Sequence, residues 1–375
     1  MKRYKAYDPP EYHDWVCQPE ILEGFRARIG EDASRQAIIE ALDGEALVAL
    51  YRGLLRARLH DIYLKRWVKS GVITKAWLAT GEEAVTVGSV HALNRSGEDR
   101  DVVGPMIRNA AACIEMGMPL TQLFAAYLGT TDTLTLGRDL HIGDLAYGVV
   151  APVSHTGSLQ PVMVGTALAF KMQRKPRVAM TWVGEGSTRT GEFHEGANFA
   201  GTARLPVIIF IQNNQVALGT QTSVHTRGDF LALADAYGMP GMKVDGNHVL
   251  DVYAATKIAV DRARAGGGPT LIVAETFRMG GHATHDEAEA RRLFPQSVFD
   301  AWGLRDPIGM FEAWLADTDL GLGGEGASRQ ARNLELLASV EEAATQEMEV
   351  ASEEAVAHRT SHQPDPADLL DGLYA

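Results

Sequence analysis

Glu185 lies between two glycines in Gly184-Glu185-Gly186, and Asn213-Asn214 closes an apolar run further along the chain. Carboxylate and amide oxygens are hard donors. They suit magnesium, which takes oxygen ligands in a near-octahedral shell with waters and substrate phosphates. The backbone carbonyl of Val216, two residues beyond Asn214, is a third candidate ligand. A dinucleotide fingerprint, G-x-G-x-x-G after a strand, fails here on two counts. Arg189 occupies the third glycine position, and a carboxylate aimed at a bare pyrophosphate is repelled by it. A divalent cation between the two removes that conflict.

The elements around these residues must hold both donors at one place. Residues 178–183 are apolar and β-branched and read as a buried strand, 192–203 as a helix, and 206–211 as a second buried strand. Strand, crossover helix and parallel strand form the unit of a doubly wound α/β sheet, whose ligands sit outside the carboxyl ends of the strands. Glu185 and Asn214 both belong there. The alternation continues: a helix at 229–237, a strand with a turn at 242–247, a helix at 249–264 and a strand at 270–274 after Gly266-Gly267-Gly268-Pro269. The expected fold is therefore α/β, a mostly parallel sheet with helices on both faces. Residues 44–69 place Leu47, Leu50, Leu54 and Leu59 at helical spacing, a packed scaffold helix. Three regions are expected. An N-terminal arm covers 1–45, with a short helix at 19–29, and the α/β domain covers 46–320. A C-terminal helical extension at 321–375 opens on a Gly-rich break, carries an acidic helix at 333–358 and ends in a tail that docks on another chain.

Composition narrows the function classes. A chain of 375 residues with net charge −13 is a poor partner for nucleic acid or an anionic membrane. No apolar run is long enough to span a bilayer, and the start shows no apolar signal core. Cys17 and Cys113 are far apart and without metal or redox spacing, which suggests reduced thiols and a cytoplasmic location.

The acidic turn, helix, strand and terminal Asn-Asn resemble the thiamin diphosphate motif. The fuller text, GEGSTRTGEFHEGANFAG with NNQVALGT, is similar to the alpha subunit of the decarboxylating component of 2-oxo acid dehydrogenase complexes, the pyruvate and branched-chain type. VDGNHVLDVYAATK, FRMGGHATHDE and Trp302 with Asp306-Pro307-Ile308 extend the likeness, which covers most of the chain from about residue 45.

That resemblance implies a thiamin diphosphate-binding fold and a set of roles. Glu185, Asn214 and Val216 would hold Mg2+. Gly184, Gly186, Ser187, Gln212, Arg108, Arg278 and His282 would bind the cofactor, and His282 would also be catalytic. Arg108 matches the family's diphosphate arginine, while Ile107 replaces the usual tyrosine beside it. Ser154, Thr156 and Ser158 could hold K+, although Leu159 stands where a glutamine ligand is common. His141, in Gly137-Arg138-Asp139-Leu140-His141, could face the site. Ala283 replaces the serine that mitochondrial relatives phosphorylate, so that regulation is not expected.

The activity implied is decarboxylation of a small 2-oxo acid, with acyl transfer to the lipoyl group of an acyltransferase. No second α/β domain is apparent to hold the aminopyrimidine, so a beta subunit in an α2β2 heterotetramer is expected, and inactivity alone. An acetoin-cleaving enzyme of the same fold and a non-catalytic α/β binding protein are the alternatives. The substrate leans weakly to branched-chain or broad 2-oxo acids.

Overall fold

The most apolar runs of the chain become parallel strands, as a sheet covered on both faces requires. A computed structural model describes residues 15–322 and 327–367. Its strands are β1 (Val102–Gly104), β2 (Ala179–Gly184), β3 (Val207–Asn213), β4 (Val216–Ala217), β5 (Thr220–Gln221), β6 (Gly241–Asp245) and β7 (Thr270–Glu275). Five form one parallel sheet in the order β1-β2-β3-β7-β6, and β4 and β5 make a small antiparallel pair. In the sheet Val183 pairs with Ile211 and Gly184 with Gln212, so β2 and β3 end side by side. The doubly wound expectation holds.

Period-two alternation divides the strand side chains between two cores. Met180, Trp182, Ile208, Phe210 and Ile272 belong to the core built with the helices Gly44–Lys69, Glu83–His91 and Val249–Arg264, and Arg329–Arg359 packs on its outer side against Gly44–Lys69. Ala179, Val183, Ile209, Ile211 and Val273 face Leu159–Met172 and Gly191–Thr202. Cys113 is buried in the first core, and burial pushes its thiol up to about 12, which makes it inert packing.

Three helices begin and end where the sequence places them: Pro19–Ile29, Gly44–Lys69 and Val249–Arg264. Asp43 caps the second by accepting from Ala46 N, and Pro opens the first turn of Pro19–Ile29. The segment expected as helix over 229–237 keeps only Ala232–Ala236. The arm is more structured than expected. Asp32 accepts from the backbone N–H of Ser34 and Arg35 and starts a second helix, Ala33–Glu40. From it Arg35 pairs with Asp251 at 2.6 Å and donates to the Lys243 carbonyl of edge strand β6 at 3.1 Å. Trp15 donates its indole N–H to the Gly303 carbonyl at 2.9 Å. The expectations for residues 1–14, for 323–326 of the Gly-rich break and for 368–375 of the tail fall outside the described residues.

Candidate cofactor and metal site

β2 delivers Glu185 and β3 delivers Asn214 because adjacent parallel strands in register end at the same level. Glu185 opens a short 3-10 turn, Glu185–Arg189, and is buried, with Oε2 accepting from Asn214 N at 3.4 Å. Among the described residues its other oxygen, Oε1, has no hydrogen-bond partner, and neither has Asn214 Oδ1. Buried polar atoms are normally satisfied, so two orphaned oxygens on neighbouring residues need an explanation. Burial pushes the Glu185 carboxyl up to about 7, against hydrogen bonds from its own backbone and that of Asn214, while Glu82 adds to the rise and Arg278 lowers it. A buried carboxylate with so little compensation is what a divalent cation completes.

Glu82 accounts for how Asn214 is aimed. This carboxylate is fully buried, and its Oε2 accepts from the amides of Gln212 and of Asn214, the latter at 2.9 Å. With Asn214 Nδ2 held there, Oδ1 must turn the other way. Gln212 in turn accepts from Asn109 Nδ2 at 3.0 Å, and Asn109 also donates to Thr86. Gln212, expected as a direct cofactor contact, is thus engaged by protein at both ends and orients the acidic centre from behind. The sequence reading missed Glu82. Its signal was a carboxylate pair, Glu82-Glu83, opening an otherwise apolar helix.

Two arginines frame the site. Arg108 is buried, donates to the carbonyls of Leu78 and, at 3.0 Å, His282, and lies 3.8 Å from Glu82 Oε1. Arg278 spends its guanidinium on carbonyls: Gly280 at 3.1 Å, Val216 at 3.3 Å and Leu218 at 2.8 Å. The Val216 carbonyl, a candidate metal ligand, therefore already accepts one hydrogen bond, which leaves one lone pair. Arg278 ties the loop after β7 to the loop after β3.

His282 reaches the same place from the other side. Asp286 holds its backbone N–H at 3.1 Å, and Arg108 Nη2 lies 3.5 Å from Nδ1. Burial, then Arg108 and Arg278, lower its imidazole to about 4, so the ring is neutral at pH 7. With Ile107, Ser187, His141, Ser154, Thr156 and Leu159 it lines a cleft of about 240 Å3. His141 is oriented there by Asp139 at 2.7 Å and Ser154 at 3.3 Å. Ser154 and Thr156 are exposed at the rim, and Ser158 precedes the helix Leu159–Met172.

The glycines differ in what demands them. A Cβ on Gly186 would stand 2.5 Å from that of Ala217, so packing alone excludes a side chain. A Cβ on Gly184 would make only ordinary contact, 3.9 Å from Ser187 Oγ and 4.0 Å from Met106 Sδ, so packing does not demand a glycine there. The residues present therefore fit a magnesium-bound diphosphate: hard oxygens without hydrogen bonds at the strand ends, a glycine at 184 that packing does not demand, and a neutral imidazole lining the same cleft as Ser187.

Fold and site together define a cofactor-binding α/β chain, and sequence comparison specifies which. The dehydrogenase E1 component family matches residues 51–356. The chain is 34% identical over 291 residues to the 2-oxoisovalerate dehydrogenase subunit alpha of Bacillus subtilis, covering 76% of this chain and 86% of that one. It is 32% identical to the pyruvate dehydrogenase E1 component subunit alpha of Acholeplasma laidlawii, covering 73% and 76%. Identity is 33% to the 3-methyl-2-oxobutanoate dehydrogenase subunit alpha of Mycobacterium tuberculosis, covering 74% and 73%. The chain belongs to the dehydrogenase E1 component family, as an alpha-type chain of a thiamin diphosphate-dependent 2-oxo acid dehydrogenase. Among the described residues no helix is long and apolar enough to cross a membrane.

Proposed function

We propose that this chain grips the diphosphate and Mg2+ half of thiamin diphosphate in an enzyme that decarboxylates a branched-chain 2-oxo acid or pyruvate. The acyl group then passes to the lipoyl group of a partner acyltransferase. A beta subunit, in an α2β2 heterotetramer, would hold the rest of the cofactor. The observation that carries the reading is the pair of buried, unpartnered oxygens, Glu185 Oε1 and Asn214 Oδ1, at adjoining strand ends. Two of the three relatives above are named for branched-chain substrates, which favours that class.

When bound, thiamin diphosphate supplies a thiazolium carbon that acts as nucleophile and then as electron sink. The chain's own residues do the rest. Glu185 and Asn214 hold the cation, with the free lone pair of Val216 O as the third protein ligand. The backbone at Gly184 and Gly186 admits the diphosphate, and Ser187 contacts it. Arg108 and Arg278 set the positive field around it, although protein carbonyls occupy much of their donor capacity. The neutral His282 donates an N–H to phosphate oxygen or moves a proton near the reacting centre. Potassium at the turn of Ser154, Thr156 and Ser158 is the secondary part of the proposal. Functionally the chain divides into the arm 1–45, the cofactor-gripping domain 46–320 and the extension 321–375.

The test is co-purification with the beta subunit, followed by decarboxylation of 3-methyl-2-oxobutanoate and of pyruvate with a dye acceptor, thiamin diphosphate and magnesium. Activity is expected with both subunits, greater on the branched substrate, and absent from this chain alone. Bound cofactor without turnover of either acid would move the reading to acetoin cleavage. No magnesium-dependent cofactor binding would overturn it.

A further inference from the structure

Away from this site, three metal-ligating side chains meet where the last helix ends. His358 stands in the final turn of Arg329–Arg359, and His362 follows four residues on. That spacing brings their rings together, stacked with centroids 3.7 Å apart and planes 19° from parallel. Asp132, from the loop after the helix Leu120–Leu128, places Oδ2 2.7 Å from His358 Nε2. One ligand atom from each of the three lies within 4.8 Å of the others. The backbones are also joined, since Thr131 N donates to the His362 carbonyl at 2.9 Å. The register of loop against tail is therefore fixed independently of the side chains.

We propose that Asp132, His358 and His362 form a binding site for a divalent transition-metal ion of the zinc class, which clips the C-terminal helix to the loop at 130–144. Two imidazoles and one carboxylate are a zinc-type donor set, whereas magnesium requires oxygens. In a tetrahedral site with bonds of about 2.0–2.1 Å, ligand atoms stand roughly 3.4 Å apart. The stacked rings hold their in-plane lone pairs nearly parallel, so one imidazole must turn; Asp132 and His358 must open slightly from 2.7 Å, and the widest pair must close by up to about 1.4 Å, all within the reach of partly exposed side chains. A fourth position remains for water. The bland alternative is an Asp132–His358 ion pair that merely fastens the helix end, with His362 a bystander.

His362→Ala separates the two, because it leaves the ion pair intact. The full-length chain, freed of metal with chelator, is titrated with zinc chloride by calorimetry and with cobalt(II) by visible absorption. Wild type should bind one zinc more per chain than His362→Ala or the double variant His358→Ala/His362→Ala. Cobalt should give a tetrahedral absorption band in wild type that both variants lack, and zinc should raise the unfolding temperature of wild type more than that of either variant. The Glu185 site contributes equally to all three proteins, so the difference between them counts only this clip. Equal zinc stoichiometry and cobalt spectra in wild type and variants would overturn the proposal.

Discussion

Glu82 and Glu83 are chain neighbours, both buried, yet they serve two different centres. Glu83 accepts from Arg58 and, at 2.9 Å, from Gly81 N. Arg58 also pairs with Asp306 at 2.7 Å, and Asp306 in turn accepts from Gly309 N at 2.9 Å. Every charge there has a partner of opposite sign or a hydrogen bond. On the other side, Glu82 Oε1 has only the Arg108 guanidinium at 3.8 Å and no hydrogen bond among the described residues, and Glu82 faces Glu185 and Asn214, which each keep an oxygen without one. Burial and charge do not distinguish the two centres; satisfaction does. The first is closed by protein partners, and the second is the centre that we propose a ligand completes.

The comparison can be broken from either end. Arg58→Ala should be the most damaging change, because it strands two buried carboxylates. Unfolding by denaturant should show a loss of about 3–5 kcal/mol, or no soluble protein. An unfolding free energy close to wild type would mean that the closed centre is not structural. Glu185→Gln should do the reverse: fold stability in chelator is retained, while magnesium-dependent thiamin diphosphate binding weakens about a hundredfold, roughly 2.7 kcal/mol. Fluorescence titration of the cofactor measures this, and undiminished affinity would remove Glu185 from the metal shell. Glu82→Gln should weaken magnesium binding by about tenfold, as loss of an outer partner that aims a ligand does. An effect as large as that of Glu185→Gln would make Glu82 a ligand instead.

The smallest effect concerns acid stability at a third carboxylate. Burial raises Glu115, but the His91 hydrogen bond and charge, with Arg56 and Arg95, outweigh it and hold the carboxyl below its ordinary value of 4.5. A depressed folded-state value means that the stability it contributes is fully present above pH 4.5 and is lost as pH falls through the lower one. Glu115→Gln should therefore lower the unfolding temperature at neutral pH and flatten its decline on the acid side. Parallel melting curves for the two proteins across that range would refute the linkage.

Much of this was legible in the sequence. Long periodic segments fixed Gly44–Lys69 and Val249–Arg264, and β-branched runs fixed β2, β3 and β7, because burial on both faces leaves no other pattern. Glu185 and Asn214 stood out because hard oxygen donors at two strand ends suit a cation, whereas His282 stood out only through the family likeness of the loop FRMGGHATHDE. Glu82 did not stand out. Nothing in Glu82-Glu83 tells which carboxylate finds an arginine from a distant helix, since Arg58 arrives only through tertiary packing. Arg278 was legible as a residue but not as a strut, because its partners are backbone carbonyls, which any sequence supplies. The helix Ala33–Glu40 is too short for its period to register, and only the Asp32 cap marks it.

That short helix bears on how the chain survives synthesis. β6 is one of the two outermost strands of the sheet, and a bare outer strand offers its free backbone groups as a template on which other chains can polymerise. Arg35 caps one such carbonyl, and the Lys243 ammonium, 3.2 Å from Glu275, places a charge along the same margin. A polypeptide cut back to the family-matched residues 51–356 keeps every candidate cofactor-site residue and Lys243 but loses the Arg35 cap, so it should form aggregates where the intact chain stays dispersed.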